Sequence, residues 1–378
     1  MHIPFIDLQA QRKRISKEID AAIAGVLSDG RFVGGPQVAT FEQELAKFGQ
    51  AKHAVACANG SDALLLAMQA MGVGVGDAVF CPGFTFAASA EMVPWLGATP
   101  VFVDILPDTY NLDPEHLEAS IKMVLEQGDL TPKVVIPVDL FGLPADYDSI
   151  AIVARKYDMR IIADSAQSFG GSIDGDQPLR WADITTTSFF PAKPLGCYGD
   201  GGAILTNDDR IAEFILSARD HGKGEERYEH VRIGWNSRLD SMQAVILSEK
   251  LKIFPDEIKM RNRIAQRYSD ELQEYVDRTP QIAPGFLSVW AQYTIECPDR
   301  TGLAAHLATK EVPTAIHYPK PLHHQLAYQN YPTGPGKLAV TVNKAANVIS
   351  LPMHPYLDEA VQSYIIDAIK GYNRLSGL

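Results

Sequence analysis

Long apolar runs are missing from this chain, and nothing in it approaches the roughly 20 uncharged residues that a membrane-spanning helix requires. The opening MHIPFIDLQAQ has no basic stretch leading into an apolar one, so no secretory signal is read there and a cytoplasmic location is expected. Cysteine is scarce. Cys57, Cys81, Cys197 and Cys297 lie far apart with no C-x-x-C pair, which argues against a zinc knuckle or a disulfide scaffold and predicts buried, reduced thiols. Positive charge is short as well: with 34 Lys and Arg against 46 Asp and Glu, the formal net charge of −12 repels nucleic acid and anionic membrane. An anionic substrate would need basic groups placed locally. No G-x-G-x-x-G follows the first strand-like run, which argues against a Rossmann dehydrogenase, and there is no internal repeat or low-complexity tract.

What is present is an ordinary folded composition, 46% hydrophobic and 21% charged over 378 residues, a length that suits one large core with a smaller companion. Ile15, Ile19, Ile23 and Val26 fall at helical spacing after Asp7, so a helix is predicted over residues 8–27. A second helix is predicted to start at Pro36 and to present Val38, Phe41, Leu45 and Phe48 to a core. From about residue 53 to 219, short apolar runs such as HAVACA, VFVDI, KVVIPVDL and MRIIAD alternate with helical segments. That alternation predicts an α/β fold whose mostly parallel sheet lies between helices. After Asp240 the pattern changes to long helices, with Pro255 expected to break one near Phe254 and another running to about residue 277. A strand at VWAQYTIEC, a helix at TGLAAHLATK, a strand ending at His317 and a last helix from Asp358 complete a small α+β unit. The division is placed at residues 1–250 for the large domain and 251–378 for the small one.

Three segments could carry chemistry. RIIADSAQSFGG ends an apolar strand with Asp164, at the carboxyl edge where open α/β sheets collect ligands, although a lone strand-end Asp also serves as a cap or turn residue. SFFPAKPLGCYGDGGAI places Lys193 in a loop stiffened by Pro191 and Pro194, where a single lysine would ordinarily just be solvated. ANGSDALLLAM starts a helix near Gly60 and Ser61, either an anion site built on exposed N–H groups or an ordinary capped turn. His323 and His324 are adjacent but have no acidic or cysteine partner nearby, so no metal is expected.

Taken together, ANGSDAL, PGFTFAASAE, DSAQSFG, SFFPAKPLGCYGDGGAI, RYEHVRIGWNSRLDSMQA, HYPKPLHHQ and SLPMHPYL resemble the nucleotide-sugar aminotransferases of the DegT/StrS group, which have the aspartate-aminotransferase fold (fold type I) with a seven-stranded sheet. The motifs span the chain in the family's order. The resemblance implies pyridoxal 5'-phosphate as cofactor, with Lys193 as the lysine that condenses with its aldehyde and Asp164 as the partner of its ring nitrogen. It further implies phosphate contacts from Gly60, Ser61 and Ser188, and Phe86 stacked on the ring. Gln167 would sit at a cofactor position where many relatives have histidine, and Asn236 would reach the phosphate from a neighbouring subunit, making a homodimer with shared active sites. L-Glutamate and a nucleotide-linked keto-sugar are the implied substrates. The motifs look closest to enzymes that aminate C3 of UDP-2-acetamido-2-deoxy-3-oxo-glucuronate for surface polysaccharides such as O-antigen. In those enzymes Arg238, His317 and Tyr318 would contact the sugar, and Arg238 could form a bidentate pair with the C6 carboxylate; binding the donor's carboxylate or a structural acid is an equally open role for it. A dTDP-3-keto-6-deoxyhexose or a 4-keto sugar remains the alternative substrate. Lys193 argues against the related dehydratases, which have histidine there, and its retention with Asp164 and the phosphate residues argues against a noncatalytic cofactor-binding regulator.

Overall fold

The computed structural model describes residues 3–226 and 228–376. Its strands, in chain order, are β1 (His53–Cys57), β2 (Asp77–Pro82), β3 (Thr99–Val103), β4 (Thr131–Val135), β5 (Arg160–Asp164), β6 (Ser172–Ile173), β7 (Ile184–Ser188), β8 (Gly202–Thr206), β9 (Phe286–Leu287), β10 (Tyr293–Glu296) and β11 (Val348–Leu351). Seven of them form one sheet in the order β1-β8-β7-β5-β4-β2-β3. The β2, β3, β4, β5 and β7 pairings are parallel, and β8 runs against both of its neighbours. This is the mostly parallel seven-stranded α/β sheet expected from the alternating pattern.

Alternation along each strand decides which layer it feeds, because successive side chains point to opposite faces. Val79 and Cys81 pack with Val134, Ile162 and Ile184 beneath helices Gly60–Ala70, Ala88–Trp95 and Asp209–Ala218. Ala78 and Phe80 point the other way, with Val135, Ile161 and Ala163, against helices Pro114–Gln127 and Tyr147–Lys156. On that second face β1 and β8 supply Ala54, Ala56, Ala203 and Leu205, which helix Pro36–Phe48 and the first half of helix Ser241–Leu272 cover. Both faces of the sheet are therefore dry, as parallel strands require.

A separate core lies C-terminal to this. Antiparallel β10 and β11 pack Tyr293, Ile295, Ile349 and Leu351 against helix Arg300–Thr309, helix Glu359–Ser376 and the second half of Ser241–Leu272. The long helix joins the two: Leu247, Leu251, Phe254 and Ile258 belong to the large core, and Ile264, Tyr268 and Leu272 to the small one. Residue 250, where the sequence pattern places the division, is thus inside the helix and on the side facing the large core.

Four local expectations are corrected. Pro255 does not break the helix, which runs uninterrupted over 32 residues. Its ring removes one i→i−4 hydrogen bond, a loss that the burial of Phe254 and Ile258 on either side outweighs. The first helix is two, Leu8–Arg14 and Ser16–Asp29, because Ile15 leaves helical geometry to sink between Ile19 and Ile246. The strand expected to end at His317 is reduced to a single bridge between Ala315 and Ser350. The VWAQYTIEC strand begins only at Tyr293, since Trp290 takes a left-handed backbone that stops pairing. No helix among the described residues is long and apolar enough to cross a membrane.

Because the missing bond at Pro255 is uncompensated by any other donor on that residue, Pro255→Ala is expected to raise folding stability by about 1–3 kcal/mol, read as a higher urea midpoint at unchanged slope.

Candidate active site

Every catalytic candidate stands on the carboxyl edge of the large sheet. After β1, Asn59 caps helix Gly60–Ala70, its side chain accepting the Asp62 N–H at 2.8 Å. The first N–H groups of a helix have no partner within it and carry the positive end of its dipole. Glycine is required here twice. A Cβ on Gly60 would stand 2.7 Å from Cβ of Ser188 at the end of β7, and one on Gly202 would stand 2.4 Å from the Asn59 carbonyl oxygen. The helix start is thereby pressed against β7 and β8, and the Gly60 and Ser61 amides share one cup with the hydroxyls of Ser61 and Ser188. Ser61 Oγ is held by Glu91 at 3.2 Å, and Ser188 Oγ accepts the Phe190 N–H at 3.3 Å.

Across the cup, Asp164 ends β5 almost wholly buried. Ser89 Oγ donates to its Oδ2 at 2.8 Å and the Ala166 N–H to its Oδ1 at 3.2 Å. Burial pushes the carboxyl above its usual range, against the pull of those two donors and of the Lys193 charge. Lys193 follows β7 in a turn closed by its own N–H to the Phe190 carbonyl at 2.8 Å. The far side of this loop is clamped by the buried Lys250, whose Nζ donates to the Gly196 carbonyl at 2.6 Å. Burial lowers the Lys193 pKa, with Asp164 opposing. A lysine moved toward neutrality beside a carboxylate kept from water is a nucleophilic amine facing an acid that can hold a proton-bearing ring nitrogen.

Phe86, Gln167, His317 and Tyr318 complete the walls of a cleft of about 830 Å³. Phe86 is 54% exposed, unusual for a phenylalanine, with its ring centroid 6.0 Å from that of Tyr318 and the two rings tilted. Gln167 is pinned at both ends, Oε1 accepting the Phe141 N–H at 2.8 Å and Nε2 donating to Tyr318 Oη at 3.3 Å. His317 Nδ1 lies 3.1 Å from Ser350 Oγ, and burial, then the Lys193 charge, lower its pKa, favouring the neutral ring. The described lining contains Asp62, Asp164 and Asp200 but only one lysine, Lys193, and no arginine.

The structure brings together Gly60, Ser61, Phe86, Asp164, Gln167, Ser188, Lys193, His317 and Tyr318. It does not bring Asn236 or Arg238 to the same cleft. Asn236 is exposed and bridges Asp220, and Arg238 forms an ion pair with Asp220, so within its own chain it meets a structural acid. Ser237 between them is buried, donating its N–H to the Arg219 carbonyl at 2.8 Å and accepting the Ala58 N–H at 3.3 Å. Sequence reading missed Ser89, which holds Asp164; it sits in the PGFTFAASAE motif, but a serine in a small-residue run gives no sign of what it will face.

These residues fit a phosphorylated pyridine aldehyde. The cup would take the phosphate, the exposed ring of Phe86 offers a face for stacking, Asp164 would meet the ring nitrogen, and Lys193 supplies the amine. The clash built into Gly60 gives the test. Gly60→Ala should open the cup against Ser188 and lose a charge-assisted bond of about 1.5–3 kcal/mol, weakening pyridoxal phosphate binding roughly 10- to 100-fold in an absorbance titration.

Comparison with known proteins agrees with the geometry. The chain matches the DegT/DnrJ/EryC1/StrS aminotransferase family over residues 13–370. It is 48% identical to the UDP-2-acetamido-2-deoxy-3-oxo-D-glucuronate aminotransferase of Pseudomonas aeruginosa over 97% of this chain and 99% of that one. Among solved structures, a DegT/DnrJ/EryC1/StrS aminotransferase from Brucella abortus superposes with a TM-score of 0.97 at 50% identity, covering 98% of this chain and 99% of that one. NtdA from Bacillus subtilis, solved with bound cofactor PMP, gives a TM-score of 0.87 at 27% identity, covering 99% of this chain and 85% of that one. With the lysine, the carboxylate and the anion cup assembled on that fold, the chain belongs to the DegT/DnrJ/EryC1/StrS family of aminotransferases, enzymes that use pyridoxal phosphate.

Proposed function

We propose that this enzyme acts in the cytoplasm, moving the amino group of L-glutamate to C3 of UDP-2-acetamido-2-deoxy-3-oxo-glucuronate, a step toward surface polysaccharide such as O-antigen. The chemistry rests on one observation, the buried Asp164 carboxylate set beside a lysine of lowered pKa in an anion-binding cleft. The choice of sugar is supported by the 48% identity, over nearly the full length of both chains, to the Pseudomonas aeruginosa enzyme of that name.

The cofactor, when bound, stores the amine between the two half-reactions and accepts the electrons released when the amine-bearing carbon loses its proton. Asp164 keeps the ring nitrogen protonated, and Ser89 and the Ala166 N–H keep Asp164 aimed at it. Lys193 Nζ takes the proton from the α-carbon of glutamate and in the second half-reaction returns one to the carbon that becomes C3–H of the amino sugar. Burial moves its pKa down, toward the neutral amine this needs. Gln167 and Phe86 would hold the ring, and Tyr318, which touches both, would help position them.

A nucleotide-linked uronate brings a diphosphate and a carboxylate to a cleft whose described lining has three acids and one lysine. That imbalance favours a site completed by a second copy of the chain. Asn236 and Arg238, which line no part of their own cleft, are the residues we assign to the neighbour's site: Asn236 to the phosphate cup and Arg238 to the sugar's carboxylate, opposite His317 and Tyr318.

Two measurements check these roles. Glutamate added to pure enzyme is expected to abolish the visible absorbance of the bound cofactor, and Lys193→Ala should convert glutamate to its keto acid about 10²- to 10⁴-fold more slowly; an unaltered spectrum with wild type would refute the half-reaction. Separately, Lys193→Ala and Arg238→Ala chains, each inactive toward the uronate, should recover about a quarter of wild-type activity after subunit exchange, because mixed dimers then hold one intact site in two. No recovery would place Arg238 outside the shared site, and equal turnover of a dTDP-3-keto-6-deoxyhexose or a 4-keto sugar would remove the uronate as the substrate.

A further inference from the structure

Behind Asp164, out of reach of the cleft, lies a second buried carboxylate. Asp139 is in the loop after β4, has no exposed surface, and accepts four hydrogen bonds. Its Oδ1 takes the Ala145 N–H at 2.9 Å and the Tyr147 hydroxyl at 2.8 Å. Its Oδ2 takes the hydroxyls of Ser165 at 2.7 Å and Ser168 at 2.5 Å. The two donors on Oδ1 come from the segment leading into helix Tyr147–Lys156, and Tyr147, which opens it, is fully buried and stacks on Trp181 with ring centroids 6.1 Å apart. The two on Oδ2 belong to the turn that leaves β5 and carries Asp164 and Gln167 into the cleft.

The backbone reinforces the same junction. Asp164 N–H donates to the Pro137 carbonyl at 2.9 Å, and Asp139 N–H donates to the Asp164 carbonyl at 3.1 Å. Two residues on, the Phe141 N–H holds Gln167 Oε1. Residues 137–141 thus grip the 164–168 turn from below, and among the described residues the side-chain anchors of Ser165 and Ser168 in that grip are their two hydroxyls on Asp139.

We propose that Asp139 is a positioning residue for transamination: by holding Ser165 and Ser168 against the start of helix Tyr147–Lys156, it fixes the direction in which Asp164 and Gln167 face the cofactor. None of Asp139, Ser165, Ser168 and Tyr147 lines the cleft, so the effect passes through the turn. The residue type follows from the count. Four donors converge on two oxygens, and a carboxylate offers lone pairs for all of them, whereas an amide in its place would turn an NH₂ toward two of the donors. Burial pushes the Asp139 carboxyl up to about 6, so it is the ionised acceptor at neutral pH despite its dry surroundings. Holding an anion there is costly, and a purely structural filler would not require one. The geometry downstream does, because a misdirected Asp164 weakens its bond to the ring nitrogen.

The inference rests on the roles assigned to Asp164 and Lys193, and the experiment separates the two. Holoenzyme carrying Asp139→Asn, and holoenzyme carrying Ser165→Ala with Ser168→Ala, are compared with wild type by three readouts: the pH midpoint of the cofactor's visible absorbance, the rate of its loss with glutamate, and the melting temperature of the apoprotein. Asp139→Asn is expected to shift the midpoint by about half a pH unit or more and to slow the glutamate reaction about tenfold or more, with the double serine variant moving both in the same direction. Midpoint and rate at wild-type values in either folded variant overturn the proposal, as does a lowered melting temperature with both unchanged; if Asp139→Asn does not fold, the serine variant decides alone. Lys193→Ala, run alongside, tests the underlying reading: a visible band of the wild-type kind that persists there overturns the assignment of Lys193, whatever Asp139 does.

Discussion

The site depends on keeping a carboxylate charged where water is nearly excluded. Asp164 sits at the end of a strand buried on both faces, where burial raises its pKa and two hydrogen bonds and the Lys193 charge favour its ionised form. Burial leaves the acid raised and the lysine lowered, each only partly offset by the other's charge. A cationic ring nitrogen placed against Asp164 supplies what the protein withholds. A buried acid with so few partners is suited to a cationic ring of that kind.

Much of this was legible in the chain. The α/β alternation, the helix start at Gly60 and the strand end at Asp164 are local patterns, written in period-two apolar runs and glycine placement, and the structure forms each of them. Lys193 was uninformative alone and decisive in company, because the neighbouring motifs supplied the acid and the anion cup. The resemblance to a family added what no local pattern holds, the cofactor itself.

What stayed hidden was set by tertiary contact. Ser89 holds Asp164 from 75 residues away in sequence. Asp139 looked like the end of an apolar run, and nothing in KVVIPVDL announces that four donors will converge on its last acid. The Pro255 helix went against propensity because two cores pull on one element from both ends. Arg238 shows the reverse limit: its chemistry was readable, but its place was not, since within one chain it pairs with Asp220.

The 32-residue helix that crosses from the large core to the small one is about 48 Å of continuous strut. Such a beam resists bending wherever its ladder of hydrogen bonds is complete. At Pro255 one rung is absent, and that rung falls between Leu251 and Ile258, just before the apolar face changes allegiance. The one gap in the beam therefore lies where the large core backs it on both sides, so the packing of Leu251, Phe254 and Ile258 splints the helix at the point where its own ladder is weakest.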